Sequence, residues 1–146
     1  MPKVALVTGS NKGIGFAIVR SLCKQYNGDV FLSGRDAGRG TAAVESLNSE
    51  GLKPLFQQLD INDPESVGAA RDFFKEKYGG LDVLINNAGI AFKNADTTPF
   101  GTQAEVTLKT NFFATRDMCN EFLPIIKPGG NAVRTSQLTD SWNTDA

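Results

Sequence analysis

The sequence has 146 residues and a nearly even charge, with 15 Lys plus Arg against 16 Asp plus Glu and a formal net charge of -1. This length suits a single domain with a real core, and the balanced charge argues against nucleic acid as a partner. The chain contains no histidine. That excludes Ser-His-Asp and Cys-His nucleophile systems and the usual zinc sites, so we expect no metal centre.

The cysteines and the apolar runs bear on the cellular setting. Cys23 and Cys119 are far apart and lack C-x-x-C spacing, which predicts buried free thiols in a reducing compartment, with a disulfide as the alternative. The opening "MPKVALVTGS" is too short an apolar run for a signal peptide, and no stretch reaches the roughly 18 apolar residues of a membrane helix. We expect a soluble cytoplasmic protein without a membrane partner.

Strands and helices alternate along the sequence. Four short apolar runs are typical of strands buried in a parallel sheet, namely 3–8, 29–35, 54–60 and 81–89. Apolar spacing and capping residues predict the helices, which cover 13 to about 26, 42–47, 62–65 to about 78, and about 102 to 126. Such alternation requires right-handed crossovers. The predicted fold class is α/β, a Rossmann-type doubly wound parallel sheet of strand order 3-2-1-4.

The stretch "TGSNKGIG" at 8–15 lies between the first predicted strand and the first predicted helix. Glycines there let backbone amides and the positive helix N-terminus approach a pyrophosphate. A tight turn that merely needs glycine is the alternative, but the flanking strand and helix favour nucleotide binding. The candidate binding residues are Gly9, Ser10, Asn11, Lys12, Gly13, Ile14 and Gly15.

The spacing T-G-x-x-x-G-x-G, together with "NNAG" at 86–89, resembles the short-chain dehydrogenase/reductase superfamily. Within it, "VALVTGSNKGIG", "LDVLINNAGIAFK", "AEVTLKTNFFATRD" and "LPIIKPGG" are similar to cytosolic monomeric carbonyl reductases over residues 3–130. The resemblance implies NADPH-dependent reduction of aldehydes, ketones or quinones to alcohols.

The end of the second strand bears on the choice of cofactor, because the ribose 2′ position is read there. Gly34 stands where relatives that prefer NAD carry Asp; Arg35 follows it, and Lys12 lies in the Gly-rich turn. Two cations can neutralise a 2′-phosphate, so NADPH/NADP is the expected cofactor. Asp36 would read the ribose instead if the strand ended two residues later, and Lys12 and Arg35 as ordinary solvated charges are a further alternative.

The resemblance also implies roles for residues after the third and fourth strands. Asp60 and Ile61 should flank the adenine ring, and Asn87, Ala88 and Gly89 should line the adenosine side of the cofactor. Asp60 could instead cap the turn after the third strand, and "NNAG" also stabilises the central sheet in this family.

Asn111 interrupts an otherwise apolar helix, where Asn costs several tenths of a kcal/mol relative to Ala. The resemblance implies that it sits at a distortion of the helix and holds a water connected to the catalytic Lys. A solvent-facing Asn on the polar stripe is the alternative.

The family motif Y-x-x-x-K is absent from the sequence. Tyr26 and Tyr78 are the two tyrosines, and four residues after them stand Val30 and Asp82. An ungapped continuation places Ser136 and the following Gln at the family's serine pair, so we do not assign catalysis to Ser136. Asn111 is therefore the one remaining catalytic candidate, and we expect no reductase activity from this chain by itself. A non-enzymatic NADP(H)-binding or interaction module, and an unproductive short form, are the alternatives.

The sequence divides at Gly130 into 1–130, an NADP(H)-binding half-domain, and 131–146, a polar tail with too few apolar residues for further packed elements. We expect this tail to be disordered, with 131–134 as a candidate for a short fifth strand. Without later elements, the fourth strand should be a sheet edge, and the long helix should expose Phe112, Met118, Phe122 or their neighbours.

Overall fold

The computed structural model describes residues 2–88 and 99–135. Its strands, all parallel, are β1 Val4–Val7, β2 Asp29–Gly34, β3 Leu55–Gln58, β4 Leu81–Asn86 and β5 Ile126–Arg134. Its α-helices are α1 Gly13–Gln25, α2 Ala37–Asn48, α3 Pro64–Tyr78, α4 Phe100–Leu108 and α5 Thr115–Phe122. A π-helical segment, Lys109–Ala114, joins α4 to α5, and a 3-10 turn, Leu123–Ile125, precedes β5.

The sheet order is β3-β2-β1-β4-β5. The predicted α/β class and the order 3-2-1-4 are confirmed, and so is the fifth strand at 131–134, whose pairing with β4 runs from Val83 opposite Asn131 to Asn86 opposite Arg134. The fourth strand is therefore not the sheet edge that the sequence suggested.

β5 nevertheless begins at Ile126, five residues before the expected start, so the segment 127–130 lies within the strand and not between helix and tail. Leu81 pairs with Ile126 and Val83 with Asn131, which makes this segment an irregularity in the pairing. Its two glycines have different causes: Gly129 has φ +81° with open space around it, whereas a Cβ on Gly130 would lie 2.6 Å from the carbonyl oxygen of Asp82. The division at residue 130 stays a prediction, although one strand runs across it.

α2 is longer than predicted, because it begins at Ala37 and not at residue 42. Asp36 is its N-cap and accepts a hydrogen bond from the backbone N–H of Arg39 at 2.9 Å. Gly38 and Gly40 interrupt the apolar spacing in this first turn, so the sequence pattern did not predict it as helical. Gly40 is needed because the ring of Phe56 occupies the place of a side chain.

Two apolar clusters cover the two faces of the sheet, as a doubly wound fold requires. The cluster under α1 and α2 includes Val19, Leu32 and Leu47. The cluster under α3 and α5 has an aromatic centre, where the rings of Phe31 and Phe74 meet edge to face at 5.0 Å between centroids. Within the described residues no helix is both long and apolar enough to cross a membrane.

The long helix differs from its prediction in two ways. It ends as an α-helix at Phe122 and is interrupted by the π-helical segment. Phe112 is 49% exposed, as expected, but Met118 and Phe122 are fully buried against the α3 side of the core. The expected exposure therefore falls on Phe112 and on the neighbours Phe113 and Leu123, which are 45% and 53% exposed, whereas α5 turns Met118 and Phe122 toward the sheet.

Candidate functional site

The Gly-rich turn follows β1 at the carboxyl edge of the sheet and leads into α1. Gly9 has φ +56°, and a Cβ there would lie 2.7 Å from Cα of Ala88. A Cβ on Gly15 would meet the Asn87 amide and lie 2.7 Å from the carbonyl oxygen of Gly9. Gly13 has φ +66° with open space around it. Glycine is thus required at 9 and 13 by conformation and at 9 and 15 by close packing.

The N-terminus of α1 points into this turn. Lys12 is the N-cap residue and makes no capping hydrogen bond, and the first turn of the helix carries no acidic side chain. The first N–H groups of a helix lack partners within the helix and sit at the positive end of its dipole. An anion is therefore the natural ligand of this end of α1.

The side chains of Thr8 and Ser10 hydrogen-bond the turn to the neighbouring strands. The Thr8 hydroxyl oxygen accepts the backbone N–H groups of Asn87 at 3.0 Å and Ala88 at 2.9 Å. Ser10 is fully buried; its hydroxyl donates to the carbonyl oxygen of Val7 at 2.8 Å and accepts the N–H of Ser33 at 2.9 Å. The Ser10 side chain, a predicted binding residue, thus ties the turn to β2.

Asn11, Lys12 and Ile14 lie on the open side of the turn. Oδ1 of Asn11 is 3.5 Å from the place of a Cβ on Gly34, so Asn11 packs beside the end of β2. Lys12 is exposed, and Ile14 is 41% exposed. These side chains line the carboxyl edge between β1 and β2.

The residues at the end of β2 include both of those predicted to contact the ribose. β2 ends at Gly34, and Arg35 follows it as an exposed residue. The carboxylate of Asp36 is engaged as the N-cap of α2. The strand therefore does not extend two residues further, and the assignment of residue 34 to the ribose position stays a prediction.

Asp60 and Ile61 follow β3. Oδ1 of Asp60 accepts the N–H of Asn62 at 3.0 Å, which is the turn-capping role left open above, and Ile61 is 8% exposed in the core. The Asn62 amide donates to the hydroxyl of Thr110 at 3.1 Å and so links this turn to the π-helical segment.

Asn87 and Ala88 follow β4 and contact the Gly-rich turn directly. Nδ2 of Asn87 donates to the carbonyl oxygen of Gly9 at 3.0 Å, and Oδ1 accepts the hydroxyl of Thr135 at 2.8 Å. Gly89, also predicted here, lies outside the described residues. The structure thus joins the turn 8–15 to the end of β4. Sequence analysis did not predict the hydrogen bond of Thr135 to Asn87, because no pattern in the sequence connects residue 135 with residue 87.

Asn111 lies in the π-helical segment, half-buried, and its carbonyl oxygen accepts a hydrogen bond from Nη2 of Arg134 at 3.1 Å. The helix is distorted at this residue, as the resemblance implied. The proposed link from Asn111 through a water to a catalytic Lys stays a prediction.

The two tyrosines lie at the amino edge, away from the turn. Tyr78 ends α3 and donates to Oδ2 of Asp29, at the start of β2, at 2.7 Å; burial and this carboxylate together raise the pKa of Tyr78 to about 12. Tyr26 follows α1, and burial, then the charge of Asp82, raises its pKa. Both hydroxyls are therefore protonated at neutral pH, and neither lies near the Gly-rich turn.

Comparison with known proteins supports the same family. The family model described as short chain dehydrogenase matches residues 3–139. Carbonyl reductase (NADPH) 1 of Bos taurus is 67% identical over 135 residues, which are 92% of this chain and 49% of that protein. The chain spans about half the length of the curated relatives it matches.

Solved structures show the same fold. Salutaridine reductase from Papaver somniferum superposes with a TM-score of 0.81 at 31% identity, over 97% of this chain and 59% of that one. A short chain dehydrogenase from Burkholderia cenocepacia in complex with NADP gives a TM-score of 0.74 at 34% identity, over 92% of this chain and 55% of that one.

Proposed function

The chain belongs to the short chain dehydrogenase family, and we propose that it binds NADP(H) at the carboxyl edge of β1, β2 and β4. The observation that carries the proposal is the packing of the Gly-rich turn. With no side chain at Gly9 or Gly15, the start of α1 lies directly on the turn and on Asn87. A pyrophosphate can then reach the first N–H groups of α1 without a Cβ in the way.

Charges support the phosphorylated form of the cofactor. Lys12 and Arg35 are exposed on neighbouring loops after β1 and β2, whereas the nearby carboxylate of Asp36 is occupied as a helix cap. Two cations at this position favour a 2′-phosphate over a 2′-hydroxyl. The NADP complex of the Burkholderia relative and the NADPH in the name of the bovine relative agree with this choice.

The remaining predicted residues would complete the site. Asp60 and Ile61 would flank the adenine, and Asn87, Ala88 and Gly89 would line the adenosine side. Bound NADPH supplies a hydride in the reductase relatives, and a proton donor must accompany it. Both tyrosines of this chain lie at the opposite edge with raised pKa values. We therefore propose cofactor binding without carbonyl turnover by this chain alone.

The test is a calorimetric titration with NADPH and with NADH. NADPH should bind more tightly, and Arg35→Ala or Lys12→Ala should weaken NADPH binding by about 10- to 100-fold, since a hydrogen bond to a charged group contributes about 1.5–3 kcal/mol. NADH affinity should stay unchanged in both variants. Lys24→Ala removes an exposed cation from the far end of α1 and is the matched control.

Absence of NADPH binding by the wild-type chain, or an equal loss of NADPH and NADH affinity in Arg35→Ala, would contradict the proposal. A second assay follows NADPH absorbance with a quinone substrate. Oxidation above background that disappears in Arg35→Ala would overturn the statement that the chain does not turn over carbonyls alone.

A further inference from the structure

The last described residue, Thr135, joins β5 to the nucleotide edge. Its backbone N–H donates to the carbonyl oxygen of Asn86 at 3.0 Å, and its hydroxyl donates to Oδ1 of Asn87 at 2.8 Å. The residues before it make similar contacts: the carbonyl oxygen of Val133 accepts from Nδ2 of Asn86 at 3.2 Å. The end of β5 is thus fastened to β4 at the point where β4 enters the site.

The carbonyl oxygen of Gly9 fixes the orientation of the Asn87 amide, and the hydroxyl of Thr135 hydrogen-bonds the amide in that orientation. In the observed orientation Nδ2 donates to the carbonyl oxygen of Gly9 while Oδ1 accepts from Thr135. Turned by 180°, the amide would set its oxygen against the Gly9 carbonyl, acceptor against acceptor, and its NH2 group toward the hydroxyl. The Thr135 hydroxyl adds a second hydrogen bond to the amide that Gly9 orients, and so restrains the position of the Asn87 side chain.

That orientation matters for the turn because the Asn87 amide also packs against Gly15, where a Cβ would collide with it. One side chain consequently touches both ends of the Gly-rich turn. A displacement of the amide would move Gly9 and the start of α1, which together present the backbone groups proposed to hold the pyrophosphate.

We infer that Thr135 is a positioning residue for cofactor binding: its hydroxyl holds the Asn87 amide and, through it, the geometry of the Gly-rich turn. Thr135 acts through Asn87 and not on the cofactor itself. The inference rests on the proposed function, since it concerns the geometry of the same NADP(H) site.

The experiment compares Thr135→Val, which keeps the shape and removes the hydroxyl, with Thr135→Ser, which keeps the hydroxyl. Thr41→Val, on an exposed surface of α2, is the matched control. Titrations with NADPH and NADH are made well below the unfolding midpoint of every variant. Thr135→Val should raise both Kd values by about 5-fold, the usual effect of one lost neutral hydrogen bond. Thr135→Ser should bind within about 2-fold of wild type, and Thr41→Val should bind as wild type does.

A purely structural role for Thr135 would lower the unfolding midpoint without changing the Kd of the folded protein. Equal losses for NADPH and NADH separate the effect from that of Arg35→Ala, which should affect NADPH alone. If wild type binds NADPH and Thr135→Val binds equally well, the inference fails while the proposed function stands. Absence of binding by wild type would defeat the proposed function itself.

Two further outcomes would also overturn the inference. An equal loss in Thr135→Val and Thr135→Ser would show that the effect does not depend on the hydroxyl, because Ser keeps that group. Should Thr135→Val not fold, Thr135→Ala is the second variant without a hydroxyl. If both fail to fold while Thr135→Ser folds, the hydroxyl serves folding rather than positioning.

Discussion

β1 and β5 belong to one parallel sheet and both pair with β4, yet their environments differ. Every residue of β1 is fully buried, whereas Val133 of β5 is 50% exposed and the pairing of β5 is interrupted after Ile126. β1 has a strand on each side and apolar clusters on both faces. The Gly-rich turn therefore follows β1, the more buried of the two strands, and it is linked to β5, the more exposed one, through Asn87 and Thr135.

The largest effect that would test this comparison is expected at Gly15. Gly15→Ala places a Cβ against the Asn87 amide and the Gly9 carbonyl, which we expect to cost about 3 kcal/mol and to abolish NADPH binding. Gly13→Ala is the matched control, because its surroundings are open and only its positive φ is strained. It should cost about 1–2 kcal/mol. Chemical denaturation measures both, and equal losses would refute the packing argument.

Val7 and Val133 allow the two strands to be compared with one substitution. Both pair with Ile85, from opposite sides of β4. Val7→Ala should lower the free energy of unfolding by about 2–3 kcal/mol, because it leaves a cavity in the core. Val133→Ala should lower it by less than about 1 kcal/mol, because this side chain is half exposed. A loss at Val133 as large as that at Val7 would show that β5 is covered as fully as β1.

The smallest effect concerns the amino edge of the sheet, where the Tyr78 hydroxyl is hydrogen-bonded to Asp29 at the start of β2. The pKa of Tyr78 is raised from 10.0 to about 12 in the folded chain. Its contribution to stability is therefore complete below pH 10 and is lost as the pH rises from 10 toward 12, because the unfolded chain loses this proton first. Unfolding curves across that range should show a shallower decline for Tyr78→Phe than for wild type.

Tyr26→Phe is the control for this titration. The pKa of the Tyr26 hydroxyl is raised as well. The variant removes this second tyrosine but leaves the Tyr78 to Asp29 hydrogen bond in place. The decline between pH 10 and 12 should persist in Tyr26→Phe. An unchanged decline in Tyr78→Phe would show that the Asp29 contact does not stabilise the protonated hydroxyl.

Local signals predicted much of the fold. The cap at Asp63 followed by Pro64 marks the start of α3, and Gly79, at φ +74°, marks its end. Short apolar runs predicted four strands. The alternation of these strands with helices predicted their order. The start of α2 was missed because Gly38 and Gly40 weaken a helical pattern, and only the contact of Gly40 with Phe56 shows why glycine stands there.

The start of β5 was missed for a different reason. The residues Lys-Pro-Gly-Gly at 127–130 are typical of a turn. Pairing with β4 joins residues that are distant along the chain, and hydrophobic periodicity gives no information about such pairing. Lys127 illustrates this: its Nζ donates to Oδ2 of Asp82 at 3.1 Å and to the carbonyl oxygen of Pro2 at 3.2 Å. These partners are 45 and 125 residues away along the chain.

The sequence by itself determined the alternation of strands and helices and the position of the Gly-rich turn, because each depends on residues close together along the chain. The tertiary structure alone decided that Asp36 caps a helix, that Met118 and Phe122 face the core, and that Thr135 holds Asn87. These depend on which side chains the sheet brings together across long separations. Residue 135, which the sequence assigned to a polar tail, is thereby hydrogen-bonded to the residue that packs on the Gly-rich turn.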